Sequence, residues 1–460
     1  MKPPKCLNHL VLLLVAIFAM GPVARAEWKE GVLYSFQGGT DGATPAGGLV
    51  FDTAGNLYGA TTNGGSSSCH SIAQCGTVFQ LVPPAKQGDP WTETVLYVFK
   101  GNASNDGASP AGGVVIDAAG NLYGTTAYGG TGDCVLLGSK LGCGTVYELS
   151  PPKQKGGAWT ETVLYSFPTA KQGYLPNGDL VFDRAGNLYG ATEFGGGHGT
   201  TCNSLYQYCG AVFELSPPKN KGGKWTEKVL HGFAGGTDGA NPNGGSVLNS
   251  SGAIYGTTQF GGFDCPHNSG QGCGTAFQLS PPAKKVGEWK EKILYRFKGS
   301  DDCKIPNGGL VLDAKGLLYG TAVGGGHPSG DGAVFELRPP LKTGQPWAET
   351  LLHTFVDGGD PNGALPMAGL TVDQHGVLYG TASGGGAAGD GTVFGLRASY
   401  AGERMWSFFL VHTFTGPPDA EFPAAALVFD RAGSLYGTTQ IGGSGQACRP
   451  GCGTVFKVAR

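Results

Sequence analysis

The chain has 460 residues, 84 of them glycine and only 14% charged, with a formal net charge of −3. With so few charges and no basic run it cannot neutralise a row of phosphates, so nucleic acid is not expected as a partner. Glycine at this level could signal disorder, but Leu, Val, Phe and Tyr recur between the glycines at regular places, as a packed core requires.

The elements begin with a processing segment. Lys2 and Lys5 open it, Leu10 to Met20 is an apolar run, and Ala24-Arg25-Ala26 is a small-residue cleavage site, so residues 1–26 read as a signal peptide and 27–460 as one mature domain. Cys6 precedes the apolar run, which argues against a lipid anchor at the cleavage point. Removing three of the 31 basic residues against 34 acidic ones leaves a net charge of −6. No apolar run of transmembrane length follows, and the chain is expected to be exported, to the periplasm or outside the cell.

The mature chain starts with a strand running from Trp28 to Phe36. The phrase Asp52-Thr53-Ala54-Gly55-Asn56-Leu57-Tyr58-Gly59 comes next and returns, with changes, at Asp117, Asp183, Asn249, Asp313, Asp373 and Asp430. Seven copies some 60 residues apart mark a supersecondary unit, larger than a turn or one helix. In the second copy Gly112 to Asp117 reads as a short strand. Asp117 to Gly120 is its turn, and Asn121 to Thr126 returns antiparallel. Gly144 to Leu149 is a third strand, Pro151-Pro152 stops it, and Trp159 to Phe167 is a fourth. The seven tryptophans each open such a fourth strand, and a phenylalanine closes it: Phe36, Phe99, Phe167, Phe233, Phe297, Phe355 and Phe414.

Seven units of four short antiparallel strands predict an all-β, seven-bladed β-propeller, because each twisted sheet buries both faces against neighbours and a ring leaves few open edges. The chain begins with a fourth strand and ends just after a third, Gly453 to Val458. The N-terminal strand is therefore expected to complete the last blade.

The words D-x-x-G-N-L-Y-G-T-T-x-x-G-G and G-T-V-F-x-L resemble the GloVer-type tandem repeat of exported bacterial proteins, whose C-terminal anchors vary. The resemblance covers residues 28 to 460 and implies an extracytoplasmic repeat protein, without naming a reaction. No sorting tail follows the last repeat, so surface anchoring is not expected. The hairpin is also similar to that of NHL-type and lactonase-like propellers, which include binding proteins and enzymes.

The loops after the second and fourth strands emerge on one side, and this side is the richer one chemically. It carries Asp41, Asp106 and Asp238, then Asn177, Asn243 and Asn307 just before the inner strands, and His198, His267 and His327 in Gly-Gly loops. With Tyr128, Phe194 and Phe260 nearby, this rim suits a sugar or a peptide, and these nine residues are the candidate ligand-binding set. Asp and Asn also favour turns for local backbone reasons, which is the structural reading of the same residues. Asp179, where other units have glycine, and Ala424-Ala425-Ala426 are the breaks in the innermost pattern.

Ten cysteines form close pairs within single loops: Cys69 with Cys75, Cys134 with Cys143, Cys202 with Cys209, Cys265 with Cys273, and Cys448 with Cys452. The unequal gaps lack zinc-site spacing, and export places the thiols where disulfides persist, so five local disulfides and no metal are expected. Cys303 is left over, either free or competing with Cys265 and Cys273. No nucleophile elbow, zincin, phosphate-loop or EF-hand motif occurs. His231, His353 and His412 stand where other units have tyrosine and read as packed strand positions; Glu93, Glu161, Glu227, Glu291 and Glu349 recur on the outer strand and read as structural.

The chain is thus expected to be a monomeric, cofactor-free binding scaffold for a glycan, peptide or protein. The alternative is a hydrolase or lyase built across blades at the central mouth.

Overall fold

The computed structural model describes residues 27–65, 75–86, 88–136, 138–154, 156–196, 209–220, 222–262, 265, 271–284, 287–327, 330–342, 344–356, 359–399 and 405–460. The expected leader, 1–26, lies outside these residues, as do His198 and His267.

The recurring acid organises a turn. Asp52 Oδ1 accepts the backbone N–H groups of Ala54 and Asn56, each at 2.9 Å, while Oδ2 accepts the Asn56 amide at 2.7 Å and the Tyr58 hydroxyl at 3.0 Å. Asp117 and Asp183 repeat this arrangement, and Asp430 does so with Ser434 in place of the asparagine. Four words of the repeated phrase are therefore one hydrogen-bonded hairpin, the kind of local bonding that makes Asp a turn former.

The glycine after the tyrosine has a packing reason. Gly59 lies opposite Phe79 on the next strand, and a Cβ there would sit 2.6 Å from the Phe79 ring. The same pairing joins Gly124 to Tyr147, and Gly190, Gly256, Gly320, Gly380 and Gly437 to Phe213, Phe277, Phe335, Phe394 and Phe456. The far end of an aromatic ring thus lies against bare backbone in every blade.

Each unit folds into an antiparallel sheet. In blade 1 the inner strand is split into Ala43–Pro45 and Val50–Phe51, followed outward by Leu57–Asn63, Thr77–Val82 and Thr92–Val98. Seven such sheets make a seven-bladed β-propeller. Blade 7 consists of Ala420–Pro423 with Val428–Phe429, then Leu435–Gly442, Thr454–Ala459 and, from the other end of the chain, Lys29–Ser35. The two ends pair from Lys29 with Ala459 to Ser35 with Thr454, the closure that the strand order predicts. The inner strand is shorter than the sequence suggests, only Val115–Ile116 at the position expected to span Gly112 to Asp117, because the residues before it lie against neighbouring backbones at the axis.

The core is not central but divided among the seams between blades. The phenylalanine that closes each outer strand is fully buried in all seven units. Phe36 of blade 7 meets Phe79 of blade 1 edge to face, with centroids 5.1 Å apart, and Phe99 meets Tyr147 at 5.0 Å. Toward the other end of the seam, Trp159 of blade 2 packs on Tyr58 of blade 1 at 6.2 Å. Aromatic edges at these distances add to simple area burial, and they fix the angle between sheets. Among the described residues no helix is long and apolar enough to cross a membrane.

Candidate functional site

The candidate residues separate into seam and mouth. Asp41, Asp106 and Asp238 belong to the seams. Asp41 Oδ2 accepts the Tyr34 hydroxyl at 3.0 Å and the Gln37 N–H at 2.7 Å; Asp106 accepts Tyr97 at 2.8 Å and the Lys100 N–H at 2.9 Å. Asp302 holds Tyr295 at 2.8 Å in the same way. In blade 3 a histidine replaces the tyrosine, and His231 Nε2 lies 3.4 Å from Asp238 Oδ2. These aspartates are separated around the ring, and the structure does not bring them together.

Six of the seven seams also receive a glutamate from the next outer strand. Burial pushes Glu30, Glu93, Glu161, Glu227 and Glu291 up to about 7 from an ordinary 4.5, and Glu349 to about 8. Nearby aspartates add to this at most of them: Asp419 beside Glu30, Asp41 beside Glu93, Asp106 beside Glu161. In the seam between blades 5 and 6, Phe408 takes the glutamate's place, stacking on His353 at 3.9 Å, and burial lowers that imidazole to about 4. The outer-strand glutamates are seam residues, in line with their reading as structural.

The stapled loops reach the next blade. Disulfides join Cys134 to Cys143, Cys265 to Cys273 and Cys448 to Cys452. Cys75 and Cys209 are also disulfide-bonded, and their expected partners Cys69 and Cys202 lie outside the described residues. Cys303 is a buried free thiol in the cluster that contains Cys265 and Cys273. In every unit the residue before the inner-strand proline is left-handed although it is not glycine: Thr44, Ser109, Leu175, Asn241, Ile305, Leu365 and Phe422, with φ from 51° to 61°. Such a backbone costs roughly 1–2 kcal/mol per residue. In six of the seven a carbonyl from the preceding blade's loop accepts its N–H, among them Cys452 for Thr44 at 2.8 Å, Cys75 for Ser109 at 3.0 Å, Cys209 for Asn241 at 2.7 Å and Cys273 for Ile305 at 2.9 Å. Where the cysteines are missing, Asp331 and Asp390 supply the carbonyl for Leu365 and Phe422. The staples thus hold a blade-to-blade brace.

At the axis the backbones nearly touch. A Cβ on Gly113 would lie 2.6 Å from the Gly48 carbonyl, and one on Gly369 would lie 3.0 Å from that of Gly309. Asp179 alone carries a long side chain into this ring; its Oδ1 accepts the Gly113 N–H at 2.6 Å, and burial raises its pKa.

Beside this ring, on the side of the stapled loops, lies the mouth. Here the structure joins Asn243 and Asn307 of blades 4 and 5, with Asn177 at the equivalent place on blade 3, where the backbone at Gly178 lies against that of Gly244. Asn243 Nδ2 donates to Asn307 Oδ1 at 3.0 Å, Gln259 Nε2 donates to the same oxygen at 2.5 Å, and Asn307 Nδ2 donates to the Met367 carbonyl at 3.0 Å. Asn177 and Asn243 each accept the N–H of the following glycine at 2.9 Å. Glu193, half-buried, is pushed up by burial and partly restored by a hydrogen bond from Asn177; its charge in turn acts on Tyr128. The corresponding positions in the other blades are Ala46, Ala111, Met367 and Ala424, so the mouth is polar over three blades and apolar over four. His327 is exposed, in the loop of blade 5, and its carbonyl accepts the Gly330 N–H at 2.8 Å. Sequence reasoning missed Glu193 and Gln259, although Glu193 stands where the other blades have Thr62, Ala127, Gln259, Val323, Ser383 and Gln440.

The model of the Gloeobacter/Verrucomicrobia repeat matches residues 16–202 and 134–394. The chain belongs to that family. The GloVer-type repeat expected from the phrase is thus the family found, and the turn, seam and cross-strand pairs above are the physical content of the Gloeobacter/Verrucomicrobia repeat. A search of curated proteins finds no match. Among solved structures, PhoX from Pseudomonas fluorescens in complex with vanadate aligns over 95% of both chains at 10% identity and a TM-score of 0.43. A putative glucose dehydrogenase from Thermus thermophilus aligns over 94% of this chain and all of its own at 13% identity and a TM-score of 0.40. A gluconolactonase from Xanthomonas campestris aligns over 76% of this chain and 85% of its own at 14% identity and a TM-score of 0.37. Values this low carry no inference about activity.

Proposed function

We propose that this repeat protein is an exported, monomeric binding scaffold whose ligand, a glycan before a peptide or protein, docks at the mouth over blades 3 to 5. The observation behind the reading is the row of Asn177, Asn243 and Asn307 at equivalent places on three successive blades, with Asn243 bonded to Asn307 and each side chain oriented by a backbone group. Side-chain amides fixed in advance suit hydroxyl groups, since a ligand then meets donors and acceptors without ordering them. The apolar half of the ring, with Met367, would receive the C–H face of a sugar. A glycan array on the tag-free protein, followed by calorimetry with the best binder, tests this. Asn177→Ala with Asn243→Ala should weaken binding by tenfold or more, about 1.4 kcal/mol; equal binding by the double variant, or no binder on the array, would reject the glycan reading.

A second reading, hydrolase or lyase chemistry at the same mouth, is favoured by Glu193, whose raised pKa suits a proton donor. Turnover of a bound sugar that disappears in Glu193→Gln, with binding retained, would establish it in place of the scaffold.

A further inference from the structure

We propose that the protein binds two zinc ions, or ions of similar chemistry, in its blade seams, one held by His231, Asp238 and Glu291 and the other by Glu30, His412 and Asp419. In each set one ligand atom per residue lies within 4.8 Å of the others. The two sets occupy equivalent places in the ring, between blades 3 and 4 and between blades 6 and 7, and combine an imidazole from one outer strand with a carboxylate from the next.

The spacing fits coordination better than hydrogen bonding. His231 Nε2 is 3.4 Å from Asp238 Oδ2, and His412 Nε2 is 3.9 Å from Asp419 Oδ2. The tyrosines that fill this position in other seams approach their aspartates to 2.8–3.0 Å, as a hydrogen bond requires. Two ligands of tetrahedral zinc, each about 2.1 Å from the metal, are roughly 3.4 Å apart. His231 Nε2, His412 Nε2, Glu291 Oε1 and Glu30 Oε1 are inaccessible to solvent and without a hydrogen-bond partner; the seam glutamates beside tyrosines share the orphaned oxygen and His353 shares the orphaned nitrogen, so what marks these two seams is that both orphans occur together. Backbone N–H groups orient the aspartates from outside, Ala234 on Asp238 at 2.7 Å and Thr415 on Asp419 at 3.0 Å, the support that metal-binding carboxylates commonly have.

Two neighbouring seams show what is needed. His353 lacks the glutamate, since Phe408 covers its ring. Asp302, Cys303 and Glu349 also cluster, but the Tyr295 hydroxyl already occupies Asp302 at 2.8 Å. Neither is included in the proposal.

The test uses tag-free oxidised protein, stripped with a chelator and dialysed against zinc, with metal counted by mass spectrometry and cobalt substitution read as ligand-field absorption. Wild type should hold two zinc ions per chain and melt at a higher temperature with zinc than without. His231→Tyr and His412→Tyr each install the residue found at other seams, so the fold is preserved, and each should remove one ion. The double variant should hold none, and His353→Tyr should keep both. Zinc-free wild type in excess metal, or a double variant that binds as much as wild type, would overturn the proposal.

Discussion

The seam glutamates make stability depend on pH in a direction that can be worked out. Glu93, Glu161 and Glu227 sit beside tyrosines, so their behaviour is independent of the histidine seams. Their surroundings are Asp41 and Tyr34 for the first, Asp106, Lys100, Tyr97 and Tyr147 for the second, and Tyr165 for the third. Burial is the largest cause at each and raises the carboxyl from 4.5 to about 7. In the unfolded chain these groups lose their protons near 4.5; in the folded chain they keep them until about 7. The folded state therefore binds more protons between these values. The stability this brings is complete below the unfolded pKa and is lost as pH rises through 7.

Each pKa unit corresponds to about 1.4 kcal/mol, so full burial would give about 3 kcal/mol per glutamate. All three side chains are partly exposed, and water screens what it reaches, so about 1 kcal/mol each is the expected loss between pH 5 and 8. A chain of this size gains about 1 kcal/mol/K in unfolding entropy, which makes the combined fall roughly 3 °C in thermal midpoint. The assay is a midpoint series from pH 5 to 8 in chelator, on wild type and on Glu93→Gln, Glu161→Gln, Glu227→Gln combined. The triple variant should match wild type near pH 5 and exceed it near pH 8. Glu30, Glu291 and Glu349, also raised by burial, keep part of the slope in the triple variant; a wild-type midpoint that rises over this window, or a slope that the three substitutions leave undiminished, would refute the reasoning.

Two further outcomes follow from the braces and the closure. Replacing Cys448 and Cys452 by serine opens a loop of sequence separation 4 whose Cys452 carbonyl holds Thr44, and should cost about 2 kcal/mol by loop-closure entropy; an unchanged midpoint under non-reducing conditions would show that the staple is not a brace. Deleting residues 27–36 leaves blade 7 without its outer strand and removes the fully buried Phe36. The loss of that ring alone is worth about 3–5 kcal/mol, so the shortened chain should melt well below the full one and be cut faster by protease; equal resistance would contradict the shared blade.

The blade number, the strand order and the closure were legible because they depend on contacts within one repeat or on counting strands. Cysteine spacing was legible for the same reason, since both members of a pair occupy one loop. The seams were not. Tyr34 and Asp41, Tyr295 and Asp302, and His412 and Asp419 are all seven residues apart, a spacing visible in the sequence, but the glutamate that completes each group comes from the next repeat. No pattern within a unit reports a contact one period away. The left-handed residues before proline were hidden for a related reason. Thr, Leu, Ile and Phe at those places contradict local preference, and only the carbonyl from the preceding blade keeps the conformation paired.

Repetition itself then indicates where function can lie. The aspartate and tyrosine of the phrase make the turn, its second glycine admits an aromatic ring, and the closing phenylalanine and opening tryptophan fill the seam. Each of these needs the same residue in every blade, because each blade meets its neighbour in the same way. A ligand smaller than the ring breaks that equivalence, since it touches some blades and not others. Positions that differ sharply from blade to blade without a structural reason occur at the mouth, where Asn177, Asn243 and Asn307 stand in place of Ala46, Ala111, Met367 and Ala424, and where Glu193 is the one acid at its repeat position. Substitutions in the turn or at the closing phenylalanine should therefore lower stability and leave affinity for a bound glycan intact in the fraction that folds. Substitutions at the mouth should do the reverse, and a mouth variant that unfolds the protein without touching affinity would place the binding surface elsewhere.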